Sequence, residues 1–99
     1  MYMDLDYQLI HDVPTFADNC ASGWLDRSRD PECEPGVSET YLAHFHSIMH
    51  ALSLYRAACI AHEDERSQYT RKRLGLAYEE LVVCVGKECE PFYLDWIDV

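Results

Sequence analysis

Proline and glycine are scarce in this chain, four of each in 99 residues, and neither occurs between Val37 and Leu74. A stretch of that length without either residue excludes a turn-rich architecture for the middle of the chain and predicts long helices. Basic residues are scarce as well. Eight Lys and Arg stand against 18 Asp and Glu, a formal charge of −10. Such a field argues against binding free nucleic acid or anionic membranes and favours basic surfaces. Long apolar runs are missing too, and none approaches the roughly 20 residues of a membrane span. The opening "MYMDLDYQLIHD" carries acids where a secretory signal needs a positive start and an apolar run. The five cysteines are odd in number and include no C-x-x-C pair. They read as free thiols in a reducing cytoplasm, and the expected location is cytoplasmic. Cys20 with Cys33, or Cys84 with Cys89, is the alternative disulfide reading.

What remains has the pattern of a small all-α protein: one domain over residues 1–99, a bundle of about four helices with a long central helix near 38–62. "DLDYQLIHDV" predicts a short helix that stops before Pro14. A second starts from Thr15 as N-cap, with Phe16, Cys20 and Trp24 on its core face and Gly23 as a weak spot. "DPECEPG", Asp30 to Gly36, reads as a loop. The central helix is expected to start at Ser38, with Glu39 in its first turn and Val37 stapled to Leu42.

That central helix carries two stripes. Tyr41, Phe45, Ile48, Leu52, Tyr55 and Cys59 form a large-residue stripe. Ala43, Ser47, Ala51, Leu54, Ala58 and Ala61 form a smaller one that permits close helix approach. No charge occurs from Thr40 to Tyr55. With two usable faces, the helix belongs in the middle of a bundle or in a homodimer, whose two-fold contact would use Ala43, Ser47, Ala51 and Ala58.

An unbroken helix from Ser38 to Gly86 would run ~73 Å, so a break is expected in "HEDERSQ", with Asp64 or Ser67 capping the next helix. Spacing by fourteen of Tyr41, Tyr55 and Tyr69 supports the rival reading of one continuous helix shared in a dimer. The following helix spans about Glu65 to Val85, with Leu74, Ala77, Leu81 and Val85 on one face and Gly86 as terminator. Cys59 and Cys84 read as small core residues. Pro91 opens a last turn whose Phe92, Leu94, Trp96 and Ile97 need burial.

Chemical motifs are few. His46 and His50 lie one turn apart on one helix face, a geometry able to chelate zinc, but no third or fourth ligand lies at i±3 or i±4. No metal and no cofactor is expected. Nucleotide loops, nucleophile elbows and H-E-x-x-H are absent, and Cys59 with His62 lacks an orienting third group, so no catalytic residue is assigned and no enzyme is expected. Arg66, Arg71, Lys72 and Arg73 are the only basic cluster, in a middle segment of +2 flanked by segments of −7 and −5.

The acids carry the functional reading. Asp30, Glu32 and Glu34 form one group and Glu63, Asp64 and Glu65 another, both suited to a basic protein partner. The expected function is binding to such a partner, most simply as an inhibitor that covers a basic, nucleic-acid-handling surface. In size and charge alone the chain resembles phage anti-CRISPR proteins, DNA mimics and toxin-immunity proteins. The alternatives are a helical oligomeric assembly subunit and a metal-binding bundle built on His46 and His50.

Overall fold

A computed structural model of the protein describes residues 12–92. Within them lie three α-helices, α1 (Val13–Ser28), α2 (Pro35–Asp64) and α3 (Gln68–Glu88), and a 3-10 turn at Glu90–Phe92. The class is all-α, with three helices among the described residues against about four expected for the whole chain. Of the segment read as a first helix, "DLDYQLIHDV", residues 4–11 lie outside the described residues, as do Leu94, Trp96 and Ile97, while Asp12 and Val13 open α1, which runs on through Pro14.

α1 begins earlier than the sequence suggested. Asp12, not Thr15, is its N-cap: Oδ1 accepts from the Thr15 amide at 3.2 Å and Oδ2 from the Thr15 hydroxyl at 2.7 Å. Pro14 lies in the first turn, where a missing N–H forfeits no helical bond. α2 also starts early, at Pro35, with Glu34 as N-cap and no side-chain cap bond. Pro35 has the fixed φ that suits N1, which displaces Ser38 from the capping role. Ser38 serves the other helix instead. Its hydroxyl donates at 2.8 Å to the carbonyl of Ser28, the last residue of α1.

The break between α2 and α3 falls inside "HEDERSQ", and one continuous helix is excluded. Ser67 caps α3: its Oγ accepts from the Thr70 amide at 3.1 Å, and Thr70 Oγ1 accepts from the Ser67 amide at 3.1 Å. Thr70 Oγ1 also donates at 2.6 Å to the Glu65 carbonyl and lies 3.0 Å from His62 Nδ1. Since the short bond to Glu65 uses the one hydroxyl proton, His62 donates from Nδ1. Thr70 is the buried polar side chain among the described residues, and it ties the end of α2 to the start of α3.

One core joins all three helices. Phe16, Cys20 and Trp24 are buried on α1 as expected, with Val13, Ala17 and Ala21 beside them. From α2 come Ile48, Ala51 and Leu52, and from α3 Leu81 and Val85, with Cys89 just beyond its end. Tyr41, Phe45 and Tyr55 of the large stripe are partly buried against this cluster. α3 does not stop at Gly86 but continues to Glu88. There Trp24 Nε1 donates at 2.7 Å to the Glu88 carbonyl, supplying a partner for a helix-terminal acceptor.

All five cysteines are free. Cys20 and Cys89 are the fully buried pair, while Cys59 and Cys84 are only half-buried. The Cys89 thiol is pushed well up by its hydrogen bond with Cys20 and then by burial. Burial, with Glu88 nearby, raises Cys84 to about 11. Both thiols therefore stay protonated and poorly nucleophilic at neutral pH.

α3 runs antiparallel to α2. His44 meets Glu88, the Cys84 thiol lies 3.6 Å from the Ser47 carbonyl, and His62 meets Thr70. This path lays α3 over the small-residue stripe, as its close approach requires. Ala51 and Ala58, 9% and 5% exposed, are thus taken up by the chain's own fold rather than left for a second copy, while Ala43 and Ser47 stay exposed.

Candidate protein-binding surface

The α1–α2 loop is short and ordered by its own backbone. The Cys33 amide donates to the Asp30 carbonyl at 2.9 Å, and the Glu32 amide to Asp30 Oδ1 at 2.9 Å. The second bond is an Asx-type turn, which fixes the Asp30 carboxylate against its own loop. Asp30, Glu32 and Glu34 are all exposed. Together with Arg27, Cys33, Val37 and Tyr41 they line an open depression of about 370 Å³. Val37 is 40% exposed there. The surface thus offers three carboxylates beside apolar and aromatic area, a combination that can receive the long stem and charged head of a lysine or arginine. The sequence reading assigned Val37 to a helix staple and Tyr41 to the core stripe, so it missed both beside the acids.

Glu63, Asp64 and Glu65 are exposed at the other end of α2. A helix of 30 residues separates the two acidic groups, about 45 Å along its axis. They do not form one patch. The second group stands at a helix C-terminus, where the dipole disfavours negative charge. It also adjoins Arg66 and Arg71, which line a depression with His62, Ser67 and Gln68. The local field there is mixed, whereas at the α1–α2 loop the acids dominate.

Other acids contribute little pairing. Every acidic side chain among the described residues is exposed except Glu88, which is half-buried. Glu88 makes the one ion-pair contact among them, Oε1 lying 3.0 Å from His44 Nδ1. His44 also stacks on Trp24, with ring centroids 4.4 Å apart. The histidines tied into the fold are thus His44 and, through Thr70, His62, rather than the pair His46 and His50. His46 and His50 are both exposed. Among the described residues no three His, Cys, Asp or Glu side chains converge as metal ligands would. Arg66, Arg71, Lys72 and Arg73 are exposed as well. No described helix is long and apolar enough to cross a membrane.

No protein-family model matches the chain, and no curated protein or solved structure matches it either.

Proposed function

We propose that the protein acts by binding another protein through the acidic α1–α2 loop, and that it inhibits this partner by covering a basic, nucleic-acid-handling surface. The observation that carries this reading is the loop itself. Asp30, Glu32 and Glu34 are exposed and free of ion pairs among the described residues, beside the apolar area of Val37 and Tyr41. Unpaired carboxylates on a scaffold fixed by backbone hydrogen bonds lose little entropy on meeting a cationic surface. The excess of negative charge over the whole chain steers the encounter from a distance. Glu63, Asp64 and Glu65 form a second, weaker contact, reached only by a partner whose footprint follows the length of α2.

Affinity capture from the source cell tests this reading, with the unmodified chain and the D30K/E32K/E34K variant as parallel baits. The expected result is a nucleic-acid-binding protein held by the first bait and lost from the second. A partner held equally by both, or no specific partner, contradicts it.

A further inference from the structure

α3 presents a second face that no other described helix covers. Its core side carries Thr70, Leu81 and Val85, all buried. On the far side Tyr69, Leu76 and Val83 are 68%, 54% and 53% exposed. Their spacing of seven puts them in one line along the helix, a seam of the kind that meets another helix. Large apolar side chains exposed in a row on one helix differ from the scattered single residues of an ordinary surface.

The charges beside that seam identify the occupant. Lys72 and Glu79 lie along one flank, Arg73 and Glu80 along the other, at 100° per residue. Arg73 and Glu80 line the same notch beside Leu76, together with Leu54, Ala58 and Ala77. The Arg73 guanidinium lies 5.8 Å from the Tyr69 ring centroid. All four charged residues are exposed, and none is in an ion pair among the described residues. None has an opposite charge at i±3 or i±4 on its own helix. The basic pair stands before Leu76 and the acidic pair after it.

We propose that this face binds a second copy of the chain, α3 against α3, antiparallel about a two-fold axis at Leu76. A two-fold perpendicular to the helices keeps each flank on its own side and reverses its direction. Leu76 then meets Leu76, and Tyr69 meets Val83. Arg73 stands beside Glu80 of the copy on one flank, and Lys72 beside Glu79 on the other, each pair offset by about 1.5 Å along the axis. A parallel arrangement instead sets like charges against each other. The seam is thus self-complementary in one orientation. It is separate from the α1–α2 loop, and it replaces the small-residue contact, whose Ala51 and Ala58 are covered by α3.

Sedimentation velocity on the full chain, from low to high micromolar concentration, tests the proposal through a charge-swap cycle. The unmodified chain is expected to dimerise. Arg73→Glu and Glu80→Arg each set like charges together at two symmetry-related places and are expected to weaken the dimer roughly tenfold. The double variant R73E/E80R restores opposite charges and the original affinity, an outcome that simple damage to the helix does not produce. Leu76→Glu abolishes the dimer, and circular dichroism confirms that the helices persist. A chain monomeric at high micromolar concentration overturns the proposal. So does a dimer indifferent to Leu76→Glu, or a double variant no better than the singles.

Discussion

Trp24 and Glu88 are joined across 64 residues of sequence by a 2.7 Å hydrogen bond from the indole Nε1 to the backbone carbonyl. This bond fastens α1 to the last residue of α3. The same indole ring stacks on His44, meets Tyr41 at 5.3 Å and takes the edge of Phe92 at 5.2 Å. Trp24→Phe keeps most of the apolar volume but leaves the carbonyl without its donor. The expected cost is about 2 kcal/mol, seen as a lower urea midpoint at unchanged slope. A variant as stable as the parent contradicts this role.

Thr70 closes the α2–α3 corner. Thr70→Val preserves shape but removes the hydroxyl that the Ser67 amide, the Glu65 carbonyl and His62 Nδ1 share. The amide and the carbonyl keep their own 3.0 Å bond to each other, and His62 Nδ1 loses its partner. About 2 kcal/mol of destabilisation is expected, with Thr70→Ser recovering most of it. Equal midpoints for Thr70→Val and the parent remove the hydroxyl from the account of the corner.

Gly23 matters for what approaches it. A Cβ there stands 2.5 Å from Phe92 Cε1. The Phe92 ring contacts both Trp24 and the Arg27 guanidinium, which lies 4.6 Å from its centroid and 5.3 Å from that of Trp24. Gly23→Ala gains about 1 kcal/mol of helix propensity in α1 but evicts the ring. A small net loss of stability is expected, with disappearance of Trp24–Phe92 nuclear Overhauser contacts. A more stable variant that keeps those contacts refutes the crowding.

Asp12 makes one acid-sensitive contribution. Hydrogen bonds from the Thr15 side chain and amide hold its pKa below 3.8. A carboxylate whose pKa is lowered on folding stabilises the fold above its unfolded value, and that contribution fades as pH falls through the folded value. Asp12→Asn retains a capping acceptor that does not titrate in this range. Between neutral pH and pH below 3.8, the parent is expected to lose more stability to urea than the variant. Parallel acid limbs contradict the assignment.

The all-helical class, the core face of Phe16, Cys20 and Trp24 and the Ser67 cap were legible in the sequence, because each rests on local periodicity or capping chemistry. Helix starts were less so. Thr15 and Ser38 are good caps, but Asp12 and Pro35 lie upstream and win: an earlier start adds helical hydrogen bonds, and proline at N1 forfeits none. The contact of His44 with Trp24 and Glu88 was invisible, since it joins three helices and no local spacing reports it. The acids of the candidate surface were legible as a composition, but Val37 and Tyr41 beside them were not. Nor was the gap between the two acidic groups, because it depends on α2 running unbroken from one to the other. The exposed seam on α3 emerged only once α2 was seen to cover the opposite side.

Association with the captured partner, timed over a range of ionic strengths, tests most directly whether Asp30, Glu32 and Glu34 carry recognition. The expected rate falls steeply as salt rises, because exposed charges steer the encounter and are screened. D30K/E32K/E34K is expected to slow association on the order of tenfold at low salt and to flatten that dependence, with an unchanged circular dichroism spectrum. A rate indifferent to both salt and charge reversal contradicts recognition by this loop.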